Sequence, residues 1–293
     1  MSHRIPESEL ILNPDGSVYH LHLLPADIAD HIITVGDPDR VDDVASRLDT
    51  IRITKQKREF KTITGTIGGR DITIISTGIG TDNIDIVFTE LDILANVDLK
   101  TRLKDQQHRK LHFYRLGTSG ALRDDIAIDS IVISAYAIGL EGLMHYYQYQ
   151  EPDVPAEVIS EEATYWLKDR LSTITPYTTK ASQPLQETYG KLGRQGITVT
   201  ATGFYGPQGR KVIASPRHRT FLDDMAKLKY GSLQVTNLEM ETAGIYGMAH
   251  LLGHEAISLN AILANRVTQD FSANPKAAVS SLIDRFFDLF LKT

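Results

Sequence analysis

A guanidinium, two hydroxyls and two glycines fall together in Tyr114-Arg115-Leu116-Gly117-Thr118-Ser119-Gly120. Read as a glycine-rich turn, this stretch can aim backbone N–H groups at an anion, because glycine allows close approach and unusual φ values. Arg115 adds a planar, permanently charged donor fork, and Thr118 and Ser119 add hydroxyl donors, so the best-matched ligand is a phosphate. The plain alternative is an ordinary turn, since short glycine-rich patterns also arise by chance. Two further stretches have a related character. Gly36-Asp37-Pro38-Asp39-Arg40 and Ser76-Thr77-Gly78-Ile79-Gly80 each follow an apolar, β-branched run.

These residues need elements to hold them. Ile32-Ile33-Thr34-Val35 reads as a buried strand that passes through the Gly36 turn into a helix over Val41 to Leu48. Val18 to Leu23 alternates as a strand would. Glu59 to Ile67 and Asp71 to Ile75 read as strands of a hairpin about Gly68-Gly69. Ile84, Val87, Phe88, Leu91 and Leu94 have helical spacing, and Asn96 to Lys110 is a charged excursion. Further strands are expected at Ile131 to Ala137, within the stretch from Ile126, and at Ile197 to Thr202 and Ala256 to Leu263. Helices are expected at Glu161 to Leu171, Leu238 to Leu252 and Ala277 to Leu291, with loops at Tyr146 to Pro155 and Gly203 to Arg210. Strands alternate with helices and no linker or repeat divides the chain. The expected fold is therefore a single α/β domain, residues 1–293, with a mixed central sheet flanked by helices.

Composition narrows the function. Lys and Arg total 31 against 37 for Asp and Glu, a formal net charge of −6, which argues against a nucleic-acid surface. There is no cysteine, which excludes disulfides, thiolate metal sites and a cysteine nucleophile. No stretch reads as a secretion signal or membrane span, so the expected compartment is the cytoplasm.

The three glycine-bearing stretches, in their order, resemble the nucleoside phosphorylases of the uridine phosphorylase type. Phe204-Tyr205-Gly206-Pro207-Gln208-Gly209-Arg210 resembles that family's pyrimidine-recognition loop, and Asn237-Leu238-Glu239-Met240-Glu241-Thr242 its ribose-binding segment. The resemblance implies that Gly36, Arg40, Arg115 and Thr118 hold phosphate, with Arg58 lent by a neighbouring subunit. It also implies that Thr118, Ser119, Gly120, Phe204, Gln208, Arg210, Glu239, Met240 and Glu241 line the nucleoside site. Glu241 would accept from the ribose 2′- and 3′-hydroxyls, and Met240 would pack on the sugar. His20 matches a histidine that reaches the 5′-hydroxyl from a partner subunit, although His22 stands close enough to compete for that assignment.

Base choice follows from donors and acceptors. Gln208 can accept from uracil N3–H and donate to O2, and Arg210 can donate to O4, meeting the leaving anion with fixed donors. Purine-specific relatives carry an aspartate near the last core strand, where this chain reads Leu263-Ala264-Asn265-Arg266. Arg115, Gln208, Arg210 and Glu241 are the residues expected to act in catalysis. In some bacterial relatives a serine at the position of Asn83 joins residues matching Glu59 and Ile79 in a monovalent-cation site. That departure leaves the cation unassigned, and no other metal or cofactor is expected, phosphate being a substrate. The excursion from Asn96 to Lys110 is longer than the family's usual connection. A homo-oligomer with shared sites, dimer or hexamer, is implied, with no nucleic-acid or membrane partner. A purine phosphorylase, a nucleosidase of the same fold and a non-catalytic nucleoside-binding protein remain alternatives at this point.

Overall fold

The computed structural model describes residues 4–293. Two compact units divide the chain: its N-terminal part through Tyr114 with Met248–Glu255, and Arg115–Gly247 with Ala256–Thr293.

In the first unit, β1 (His31–Val35) is buried over Ile32 to Val35 and ends at Gly36. Asp37 then caps α1 (Pro38–Ala45), its carboxylate accepting from Asp39 N–H, with Pro38 in the first turn where no backbone donor is needed. β2 (Thr50–Lys57), β3 (Phe60–Ile67) and β4 (Arg70–Ser76) follow, β2 and β3 antiparallel, β3 and β4 antiparallel, and β4 parallel to β1. Gly68 and Gly69 join β3 to β4 with φ of 56° and 77°, conformations that favour glycine. The strand β2 carries no expectation from the sequence, because Arg52, Lys55 and Lys57 give it the charged character of a sheet edge. After Gly80, α2 (Thr81–Asn96) buries Ile84, Val87, Phe88, Leu91 and Leu94 as their spacing predicts.

The charged excursion contains a small ribbon, β5 (Val97–Asp98) with β6 (Leu103–Lys104). It is stitched to the lead-in: Ile5 N–H donates to Arg102 O at 2.9 Å, and the Arg102 guanidinium donates to Leu10 O at 2.5 Å. Val18 to Leu23 does not form the strand its alternation predicts. Val18 bridges Leu12, and the next residues turn, with His22 at φ 57°. Side chains of Asn13 and Glu90 take the backbone groups that a neighbouring strand would have taken.

The strand β7 (His112–Ala121) corrects the reading of the Arg115 stretch as a turn. Tyr114 to Gly120 is extended, and neither Gly117 nor Gly120 has a positive φ. In the second unit follow β8 (Ile131–Gly139), α3 (Val154–Leu167), β9 (Tyr177–Lys180), α4 (Gln183–Tyr189) and β10 (Arg194–Thr200). Then come α5 (Phe221–Met225), β11 (Lys229–Tyr230), β12 (Leu233–Glu239), α6 (Thr242–Leu251), β13 (Glu255–Asn265) and α7 (Pro275–Phe290), the end of α6 from Met248 and the first residue of β13 being counted with the first unit. β10 runs parallel to β8 and β12, while β13 and β9 pair antiparallel with β8. Ile138, Ile159, Val199, Phe221 and Val235 belong to one buried cluster, each such side chain contributing about 1.5–3 kcal/mol by leaving water.

Two boundaries move for physical reasons. The helix expected from Glu161 starts at Val154, because Asp153 accepts from Ala156 N–H and caps it. The helix expected from Leu238 starts only at Thr242, because Leu238 and Glu239 complete the register of β12 against β10. The strand expected over Ile131 to Ala137 starts where predicted and runs on to Gly139. The fold is α/β, with a mixed sheet flanked by helices, and among the described residues no helix is long and apolar enough to cross a membrane.

Candidate active site

Arg115 lies at the centre of the second unit's polar cluster. Its Nη2 donates to Glu241 Oε2 at 2.6 Å and stands 3.0 Å from Glu239 Oε2, while Nη1 donates to Asn260 Oδ1 at 2.7 Å. Burial works against this charge, but Glu239 and Glu241 outweigh it and raise the guanidinium's pKa. Gly117 leaves the room required: a Cβ there would meet Arg115 Nη1 at 1.8 Å. The glycine that the sequence reading gave to a turn is needed because an arginine folds across it.

Glu239 is an anchor. Its oxygens accept from Thr200 Oγ1 at 2.7 Å and from the backbone N–H groups of Glu241 and Thr242, closing the N-terminal end of α6. Any nucleoside contact at Glu239 would compete with these donors and with Arg115. Glu241 follows at the helix start, so the cap on Glu239 fixes where the Glu241 carboxylate points. Met240, between them, is half-buried. On β7, Ser119 Oγ accepts from Asn237 Nδ2 at 2.9 Å, a contact that follows from the pairing of Gly120 with Leu238. Thr118 is half-buried on the same strand.

A second cluster of this unit forms around the 203–210 loop. Arg210 lies 3.7 Å over the Phe204 ring, donates to Phe204 O at 2.6 Å and donates to Gln208 Oε1. Gln208 is buried, and its backbone carbonyl accepts from Arg266 Nη1 at 3.0 Å. Burial and the neighbouring Arg266 pull Arg210 down to about 10, and burial lowers Arg266 as well. Phe204, Arg210, Asn265, Arg266 and Phe271 line a cavity of about 430 Å³. Two guanidiniums that repel each other across an open cavity suit a ligand edge that is rich in electrons.

In the first unit, Gly36 closes β1 beside the Ser76 to Gly80 turn, where Thr77 N–H donates to Val35 O at 2.8 Å. These are the carboxyl ends of the parallel pair β1 and β4, the usual ligand edge of such sheets. Arg40 sits half-buried in the first turn of α1. Arg58 is exposed at the β2–β3 tip with φ 56°, a conformation that costs a non-glycine residue about 1–2 kcal/mol. Strain of this kind recurs at sites of function. His20 and His22 separate clearly: His20 Nδ1 is 2.7 Å from the buried Glu90, while His22 pairs with exposed Asp15 at 3.0 Å. Glu59, Ile79 and Asn83 gather round Gly78, and Asn83 Nδ2 donates to Glu59 Oε1 at 3.2 Å.

Sequence reasoning missed several of these groups. Asn260, which holds Arg115, is a buried polar residue in the mostly apolar run of β13, and that was its signal, while Asn237, noted only within the ribose-binding stretch, holds Ser119. Asp92, His108 and His254 also converge, their ligand atoms within 4.8 Å of one another. Leu111 N–H donates to His254 Nδ1, so the neutral ring keeps its proton on Nε2, the atom facing Asp92 at 3.2 Å. A metal there would have to displace that proton and break the Leu111 bond, so the group reads as a structural Asp–His pair.

Residues 30–290 match the phosphorylase superfamily, and the chain belongs to it. A uridine phosphorylase of Thermococcus kodakarensis is 32% identical over 260 residues, 88% of this chain and 80% of that protein. A uridine phosphorylase of Haemophilus influenzae is 28% identical over 255 residues, 86% of this chain and 88% of its own length. A solved nucleoside phosphorylase of Trypanosoma brucei, described as showing uridine phosphorylase activity, superposes with a TM-score of 0.87 at 26% identity, covering 97% of this chain and all of that one.

Proposed function

We propose that the chain is a pentosyltransferase that cleaves uridine with inorganic phosphate, giving uracil and ribose 1-phosphate. The observation that carries the base assignment is the open cavity lined by Phe204, Arg210 and Arg266, whose two guanidiniums also hold the buried Gln208, Arg210 at the side-chain oxygen and Arg266 at the backbone carbonyl. Arg210 holds Gln208 Oε1, which orients the amide, and that oxygen keeps a second lone pair for uracil N3–H. A phosphate oxygen bonds to C1′ while the N1–C1′ bond breaks and its electron pair passes to the pyrimidine. The hydrogen phosphate proton ends on uracil N1. Arg210 and Arg266 stabilise the negative charge on the leaving base, a contribution made mainly in the transition state. Cytosine turns an amine toward the guanidiniums, so cytidine is a poor substrate.

Glu241, aimed by Arg115 and by the capped start of α6, binds the ribose diol in this reading. Phosphate roles at Arg115 and Thr118 are supported by the family's motif on β7, and those at Gly36 and Arg40 by their place at the carboxyl ends of β1 and β4. Arg58 and His20 serve a second copy of the chain in a dimer or hexamer with shared sites, for which the exposed, strained tip at Arg58 speaks. The superfamily match over residues 30–290 favours one functional domain. No resident cofactor belongs to the reading, because the Asn83 amide supplies to Glu59 the positive edge a monovalent cation would bring. Nucleic acid and membrane have no part in it, and it operates in the cytoplasm.

The test is release of free base from uridine, deoxyuridine, thymidine, cytidine, inosine and adenosine, each with and without phosphate. Uridine cleavage that requires phosphate is the expected result. Cleavage without phosphate would make the protein a nucleosidase, and cleavage of inosine alone would overturn the role of Gln208 and Arg210.

A further inference from the structure

His20 stands in a turn with no strand partner to hold it. One buried carboxylate does that work. Glu90, near the C-terminal end of α2, accepts from His20 N–H at 2.8 Å, from Leu21 N–H at 2.8 Å and from His20 Nδ1 at 2.7 Å. Three donors thus converge on a side chain that is only 10% exposed, while the His20 side chain stays 30% exposed. A carboxylate has only acceptors, so the proton of the neutral imidazole must lie on Nδ1. The other ring nitrogen, Nε2, is then left with a lone pair. His22 cannot substitute, since its Nε2 is bound to Asp15.

We propose that Glu90 is a positioning residue, which fixes His20 as a hydrogen-bond acceptor for the ribose 5′-hydroxyl of a nucleoside held by a second copy of the chain. This rests on the phosphorylase reading above. Glu90 touches neither substrate nor phosphate. It sets the tautomer and the ring angle of the residue that does. It also ties the turn to α2, so the ring meets the hydroxyl without first being ordered.

The experiment compares uridine with 5′-deoxyuridine, which lacks only that hydroxyl. The unaltered protein should favour uridine by about tenfold in kcat/KM, as one well-placed hydrogen bond allows. Glu90→Gln, whose amide turns a donor toward the three N–H groups, should lose most of that preference, and 5′-deoxyuridine turnover should stay within about twofold. His20→Ala should lose the preference too, and the double variant should lose no more. Equal losses on both substrates would overturn the proposal, because a merely structural role moves both alike. A Glu90→Gln protein that keeps the preference would also overturn it.

If the variant does not fold, histidine-selective 15N spectra of the unaltered protein decide. Protonation of His20 on Nδ1 at neutral to alkaline pH supports the assignment, and protonation on Nε2 refutes it. Failure of the phosphorylase reading itself would show separately, as an unaltered protein that cleaves neither nucleoside.

Discussion

Arg115 and Gly117 are a single device. The guanidinium is held in the second unit by two carboxylates and an asparagine, and it reaches them by lying across the bare Cα of Gly117. A methyl group at that Cα leaves it no room. Gly117→Ala should displace the arginine from Glu241 and lower kcat/KM for phosphorolysis by about 100-fold, since misplacement by an ångström has that effect. It should also lower the unfolding midpoint, because separating a buried pair costs about 3–5 kcal/mol. A variant with unchanged kinetics would show that Arg115 has another route to its partners. The arginine was legible in the sequence as a charge beside hydroxyls and glycines. Its buried partners were not, because Asn260 comes from a distant strand and only folding brings it within 2.7 Å.

Among the elements, those set by periodic apolar residues were legible: β1, the β3–β4 hairpin, α2 and α7 stand where their patterns put them. Elements set by tertiary partners were not. β2 is a charged edge, and the segment from Leu238 to Glu241 became strand and cap rather than helix because β10 lay beside it. β1 also carries an acid-sensitive group. His31 donates through Nδ1 to the Tyr114 hydroxyl and accepts at Nε2 from Arg70 at 3.3 Å, and burial, with His112 and Arg70 nearby, pushes its pKa down to about 4. The unfolded chain therefore binds this proton more readily than the folded one, beginning near the ordinary histidine pKa of about 6.5. Stability should be fully present above that pH and decline as pH falls toward 4. Denaturant midpoints from pH 8 to 5 should show the decline, and His31→Gln should flatten it. An unchanged slope would mean that His31 does not carry it.

At the scale of the whole molecule, shared sites would make catalysis a property of the assembly. Arg58→Ala chains lack the lent arginine and Arg115→Met chains lack the receiving one, so each alone should be nearly inactive. Co-folded hybrids rebuild an intact site wherever the second chain lends Arg58 to the first, and random mixing in a dimer should restore about a quarter of the sites. Assays of the mixture, with light scattering on the same samples, check this. No recovery in proven hybrids would place Arg58 outside any shared site.

The excursion between Asn96 and Lys110 is tied to the lead-in by hydrogen bonds. Arg102 joins it through two bonds to the lead-in, one from Ile5 and one to Leu10. A ribbon of this size has almost no core of its own and takes its order from that segment. The lead-in and the ribbon are therefore held as one unit, so that loosening either should loosen the other.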